Sequence, residues 1–251
     1  AGSVMGTYIG MLGGTDPAAK VLFATHLLSA SVMAVPGSIV LAKMLCPQTE
    51  EATDHVAISG KEKENSNILD AISSGTVTGV KLMTNIAAML LVFISLVALA
   101  NYITEGVIGR YTGLNDWIVK ITDGKAQGLT FQFILGVITS PFMWLIGVPS
   151  QDIMLVGSLL GQKTILNEFV AYFQLQQWKD AGLFMYEKSI LMSTYILCGF
   201  ANISSIGILL GGLGVLAPEK RGLISRIGLP AMIGGALVSV LSATIIGMIL
   251  G

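Results

Sequence analysis

"LMTNIAAMLLVFISLVALANYIT", Leu82 to Thr104, contains no Asp, Glu, Lys or Arg. About 20 apolar residues of helix cross the hydrocarbon core of a bilayer, so this stretch reads as a transmembrane helix. The whole chain agrees with it. Of its residues 53% are hydrophobic and 12% charged, and its mean hydropathy is +0.76. Soluble domains run at roughly 45–50% apolar and about 25% charged. The expected class is an all-α membrane protein of several spans.

Toward the N-terminus, Val21 to Ala42 reads as another span, interrupted only by His26 and carrying Pro36. Ala1 to Thr15 is uncharged but short, and reads as the remainder of a longer span; its opening, "AGSVMGTYIG", shows no basic n-region or cleavage pattern, so these residues are not expected to be a signal peptide. Residues 47–70, "PQTEEATDHVAISGKEKENSNILD", are polar and mixed in charge. They predict an aqueous loop leading into a short surface helix from Asn67 to Gly79.

On the other side, Gly106 to Gly128 reads as a polar connection with Trp117. Leu129 to Gln151 is apolar but broken by Pro141, Gly147 and Pro149, and Asp152 to Phe173 carries Lys163 and Glu168. Interrupted pairs of this kind mark re-entrant hairpins in transporters, and residues 129–175 are expected to form one. Ser189 to Leu216 and Ile227 to Gly251 are the last two spans, within a single transmembrane region covering 1–251.

Lys and Arg bias in short loops sets orientation. "APEKRGLISR" holds Lys220, Arg221 and Arg226 and places the last connection in the cytoplasm. Lys61 and Lys63 place the 47–70 loop there too, and the irregular 129–173 region then falls on the external side. The net charge of −1 offers no basic face for nucleic acid. Cys46 and Cys198 lack CxxC spacing, and His26 and His55 form no ligand cluster with them, so structural thiols and no metal site are expected.

Two constellations can carry chemistry. Ionisable groups at bilayer depth cost about 2.5–3.5 kcal/mol on insertion scales and usually face a cavity, which singles out Glu168 in "TILNEFVAYF" (Thr164 to Phe173). The structural alternative is a carboxylate satisfied by Lys163 or Asn167 in a helix interior, or one that snorkels to water. The second is "CGFANISSIGILLGGLG", Cys198 to Gly214, where Asn202, Ser204 and Ser205 stand within one turn among Gly199, Gly207, Gly211, Gly212 and Gly214. It reads either as a broken helix lining a cavity or as close helix packing through small residues. "GSLLGQKT", Gly157 to Thr164, misses the GxxxxGK[ST] spacing, and "GGLG" has no βαβ context, so no nucleotide-binding loop is expected. An enzyme would need a nucleophile with a base, or a metal cluster, and neither spacing occurs.

"GVPSQDIMLVGSLLGQKTILNEFVAY", "CGFANISSIGILLGGLGVLAPEKRG" and "AGSVMGTY" closely resemble the concentrative nucleoside transporters, the bacterial pyrimidine-type members most of all. The resemblance runs from Ala1 to Gly251, and "NEF" with "GFANxxS" is its most specific part. It implies an inverted-repeat transporter fold with the first repeat largely missing, since no "GQTE" nucleobase-reading motif occurs; "CPQTEE" at Cys46 to Glu51 is a loop sequence.

The same resemblance implies substrate-binding roles. Glu168 matches the acid that hydrogen-bonds the ribose hydroxyls, Asn202 and Ser205 the other ribose-contacting groups, and Phe200 the aromatic beside them. Val4 and Leu82 match residues near the nucleobase. A carboxylate accepts from vicinal hydroxyls while an amide or hydroxyl donates to them. The implied protein is a homotrimeric symporter in the bacterial inner membrane, driven by sodium or protons and importing nucleosides such as uridine, with no other cofactor. Two alternatives stand beside it: a truncated, transport-inactive membrane subunit or binding protein, and a symporter of another polar small molecule.

Overall fold

The computed structural model describes residues 2–47, 67–122, 124, 126–216 and 218–251, and every regular element among them is helical. Helix α1 (Gly2–Gly13) turns sharply at Gly14, whose φ of 54° suits glycine, into α2 (Pro17–Leu45). Asp16 caps α2 by accepting from Ala18 N at 2.9 Å, and Pro17 fills the first turn, where its missing N–H costs nothing. Pro36 lies inside α2 without ending it.

Helix α3 (Ile68–Asn101) starts at Asn67, whose side chain accepts from Asp70 N at 2.9 Å. The sequence predicts two elements here, a surface helix to Gly79 and a span from Leu82; the structure has one continuous helix. Gly75 and Gly79 each weaken a helix by only about 1 kcal/mol, and no proline separates the segments. The expected loop falls on residues 48–66, outside the described residues.

Past Asn101 the helix widens into π-helical turns at Tyr102–Gly109, followed by α4 (Arg110–Thr112), left-handed Gly113 at φ 72°, and α5 (Leu114–Ile121). Most of the predicted polar connection is therefore helical. Asn115 holds it together: its amide donates to Glu105 O at 3.0 Å and its carbonyl oxygen accepts from Leu129 N at 3.0 Å.

Then come α6 (Phe131–Leu145), α7 (Ile153–Ile165), α8 (Glu168–Asp180), α9 (Glu187–Cys198), α10 (Ile203–Leu216) and α11 (Arg221–Ile249). Pro17–Leu45, Glu187–Gly207 and Arg221–Ile249 are long and apolar enough to cross a membrane. The core gathers Tyr8, Leu27, Met143, Tyr172, Met192 and Ile196 from five helices, while Val32, Leu91, Phe142 and Trp144 point outward.

Two packing devices shape the region of the site. Helices α6 and α7 meet through small residues: a Cβ on Gly157 would lie 2.6 Å from Thr139 Oγ1, and one on Gly161 2.5 Å from Leu135 Cβ. Gly157 and Gly161 are four apart, the spacing that lets two apolar helices touch backbone to backbone. Helices α7 and α8 form a hairpin whose turn is only Leu166 and Asn167. Its open end is closed by Asp152, fully buried, whose carboxylate accepts from Met185 N at 3.1 Å and Tyr186 N at 3.1 Å. The start of α7 is thereby tied to the chain just beyond α8.

Candidate functional site

The turn of the hairpin delivers Glu168. Asn167, extended at φ −169° and ψ 171°, caps α8 by accepting from Val170 N at 3.0 Å, so Glu168 becomes the first residue of that helix. A carboxylate there lies at the positive end of the helix dipole. It is 7% exposed.

Facing it is the break between α9 and α10, residues 199–202. Asn202 caps α10: its side-chain oxygen accepts from Ser205 N at 2.7 Å and from Ser204 Oγ at 2.7 Å, and Ser205 Oγ donates to Asn202 O at 2.7 Å. With its oxygen occupied by the cap, the amide nitrogen is aimed outward, and Nδ2 donates to Glu168 Oε2 at 2.8 Å. Two helix N-termini, those of α8 and α10, thus converge on one carboxylate. That arrangement offsets part of the cost of burying an anion.

The structure therefore brings Glu168, Asn202 and Ser205 together. Phe200 lies in the break, half exposed, on the wall of a cavity of about 280 Å³ shared with Ser31, Tyr195 and Ser239. Val4, on α1, packs half-buried against the core. Leu82 falls within α3, and its side chain lies outside the described ones. Of the five glycines in Cys198 to Gly214, only Gly199 sits at the break; the others lie within α10.

The alternative partners for Glu168 are engaged elsewhere. Asn167 caps α8, and Lys163, fully buried, donates from Nζ to Ile196 O at 2.7 Å and to Ser239 Oγ at 3.1 Å. Tyr172, on α8, donates to Thr194 O at 2.7 Å and stacks on Tyr8 with centroids 4.0 Å apart. Sequence reasoning treats Lys163 only as a possible counter-ion and passes over Asp152, Tyr172 and Ser239. The signal for Lys163 was its place three residues before a turn and opposite a helix break, where unsatisfied carbonyls need a donor.

A helical hairpin whose tip holds an acid against a broken membrane helix defines a membrane carrier with a polar site between discontinuous helices. Comparison with known proteins gives the family. The model for the Na+ dependent nucleoside transporter C-terminus matches residues 26–247, and the chain belongs to that family.

The sodium/nucleoside cotransporter 1 of Rattus norvegicus is 37% identical over 263 residues, covering 99% of this chain and 37% of that protein. The nucleoside permease NupC of Helicobacter pylori is 36% identical over 228 residues, covering 90% and 51%. An uncharacterized transporter of Haemophilus influenzae is 39% identical over 254 residues, covering 100% and 56%. Among solved structures, CNTnw in an inward-facing substrate-bound state matches with a TM-score of 0.75 at 36% identity, covering 100% of this chain and 54% of that one. The chain spans about half the length, or less, of these relatives.

Proposed function

We propose that this chain forms the ribose-binding part of a cation-coupled nucleoside symporter of the bacterial inner membrane. The observation that carries the reading is the 2.8 Å bond between Asn202 Nδ2 and Glu168 Oε2, made between a hairpin tip and a helix break. A carboxylate offers about four lone-pair sites and Asn202 uses one, which leaves acceptors for the paired hydroxyls of a sugar. Ser205 Oγ, whose proton goes to Asn202 O, can accept from the same hydroxyls, Phe200 stands beside them, and the likeness to the family assigns Val4 and Leu82 to the base. The family description and the rat cotransporter both name sodium, which favours sodium over protons as the coupling ion. Uridine is the substrate expected from the likeness to pyrimidine-type members, and the assembly is a homotrimer. The hairpin enters the membrane without crossing it, and the connection holding Lys220, Arg221 and Arg226 is cytoplasmic.

Uptake and binding with uridine and 2′,3′-dideoxyuridine test this in proteoliposomes of the protein that carries this chain. A site built on hydroxyl recognition rejects the analogue by at least about a hundredfold, because its own polar groups are left unpaired. Equal affinity for the two ligands refutes the ribose role. Binding without sodium- or proton-driven uptake would leave a binding subunit in place of a carrier.

A further inference from the structure

Lys163 is the least expected feature of the interior. Its side chain is fully buried, and among the described residues its ammonium pairs with no carboxylate. A cation without water is costly wherever it stands, so its surroundings must replace hydration.

They do so with oxygens released by the break. Helix α9 ends at Cys198, and the last four carbonyls of a helix have no partner within it. Ile196 supplies one of these four, and Lys163 Nζ donates to it at 2.7 Å, with Ser239 Oγ of α11 as its second acceptor at 3.1 Å. The end of a helix is also the negative end of its dipole. The ammonium therefore sits where a bound monovalent cation would be held, on a carbonyl and a hydroxyl at a helix terminus.

Its position relative to Glu168 is what gives this a function. Lys163 lies three residues before the hairpin turn and Ile196 three before the break; Glu168 lies just past the turn and Asn202 is the last residue of the break. The two bonds straddle the place where tip and break cross. Gly199, between them, has no room for a side chain: a Cβ would overlap Ser239 Oγ and lie 3.4 Å from Lys163 Nζ.

We propose that Lys163 is a positioning residue for the ligand: a built-in cation that locks the α9 terminus and α11 to the hairpin and so holds Asn202 on Glu168. The inference rests on the ribose-binding reading above. The cavity of about 280 Å³ lined by Gly199, Phe200 and Ser239 gives a small amine access to the same place.

Uridine binding to the purified protein that carries this chain is measured by calorimetry for Lys163→Met, which keeps the packing and removes the charge, for Asn202→Ser, and for the double variant. Each single change is expected to weaken binding about tenfold or more, the scale of one charge-assisted hydrogen bond. If Lys163 acts through Asn202, the double variant is no more than about twofold worse than the weaker single one. In Lys163→Ala, methylammonium restores binding and choline does not.

Wild-type affinity in Asn202→Ser overturns the ribose reading on which this stands. Wild-type affinity in Lys163→Met with Asn202→Ser weakened, or losses that multiply in the double variant, overturns the role of Lys163 alone. Should Lys163→Met not assemble, Ser239→Ala keeps the charge and removes one acceptor. A loss of about two- to fivefold that vanishes in the Asn202→Ser background then supports the inference, and no loss overturns it.

Discussion

Lys163 and Glu168 are opposite charges five residues apart around one hairpin tip, yet they do not form an ion pair. The ammonium is taken by Ile196 O and the carboxylate by Asn202 Nδ2. Both acceptor and donor come from the two sides of one helix break, so the break, not the hairpin, satisfies the charges of the hairpin. A direct salt bridge would have used up the carboxylate within its own element. Pairing each charge separately with the break keeps lone pairs of Glu168 available at an interface between elements.

The first prediction follows from that division. Glu168→Gln keeps an acceptor for Asn202 and removes the charge. Burying an unpaired charge costs more than burying a hydrogen-bonded amide, so the melting temperature without ligand should hold or rise. Uridine affinity should nevertheless fall about ten- to a hundredfold, since hydrogen bonds to charged groups contribute roughly 1.5–3 kcal/mol. Thermal unfolding and calorimetric titration of the same preparation check both halves; unchanged affinity removes Glu168 from the site.

Asn202 has two jobs that substitutions can separate. Aspartate and serine both cap helices about as well as asparagine, so Asn202→Asp and Asn202→Ser should leave α10 formed. Serine loses only the amide donor, whereas aspartate sets a second carboxylate where the donor lies 2.8 Å from Glu168 Oε2. Like charges that close repel strongly, so Asn202→Asp should bind uridine at least about tenfold more weakly than Asn202→Ser. Equal titrations for the two variants would show that Asn202 contributes only its cap.

Much of this was legible in the sequence for physical reasons. Uncharged runs long enough to cross a bilayer announce themselves, and Glu168 stands out because an acid is costly there. The "NISS" cluster, Asn202 to Ser205, falls at a real helix break, where asparagine is a favoured cap. Other features were not legible because they depend on contacts far apart in the chain. Nothing near Lys163 names Ile196 or Ser239 as its partners, 33 and 76 residues away. The join between the predicted surface helix and span near Gly79 was hidden because glycine is a weak breaker when no proline reinforces it.

The stretch "GSLLG", which superficially suggests a phosphate loop, is a packing face. Gly161→Val would place methyl groups against Leu135, whose Cβ already lies 2.5 Å from where a Cβ on residue 161 would sit. Overpacking of this kind costs about 1–3 kcal/mol. The expected outcome is a melting temperature lower by several degrees, while Gly75→Val, which meets nothing within 4 Å, should change it little. Equal melting shifts in the two variants would count against close contact between α6 and α7.

The last prediction concerns the far end of the hairpin. Asp152 is fully buried and accepts from Met185 N and Tyr186 N. Removing it in Asp152→Ala takes away the charge-assisted hydrogen bonds to these part-buried donors, a cost of about 1.5–3 kcal/mol in all. Helix α7 has 13 residues and is therefore about 20 Å long, which separates this lock from Glu168 by the length of the hairpin. Asp152→Ala should accordingly lower the melting temperature by several degrees, roughly 2–4 °C per kcal/mol for a chain of this size, and leave uridine affinity in the folded protein within about twofold of wild type. Hydrogen exchange should show the new opening at Met185 and Tyr186 and continued protection in α9, whose Thr194 and Ile196 carbonyls are still held by Tyr172 and Lys163. If affinity instead collapses with stability, the tip is not held by the break alone, and the base of the hairpin sets the position of Glu168 as well.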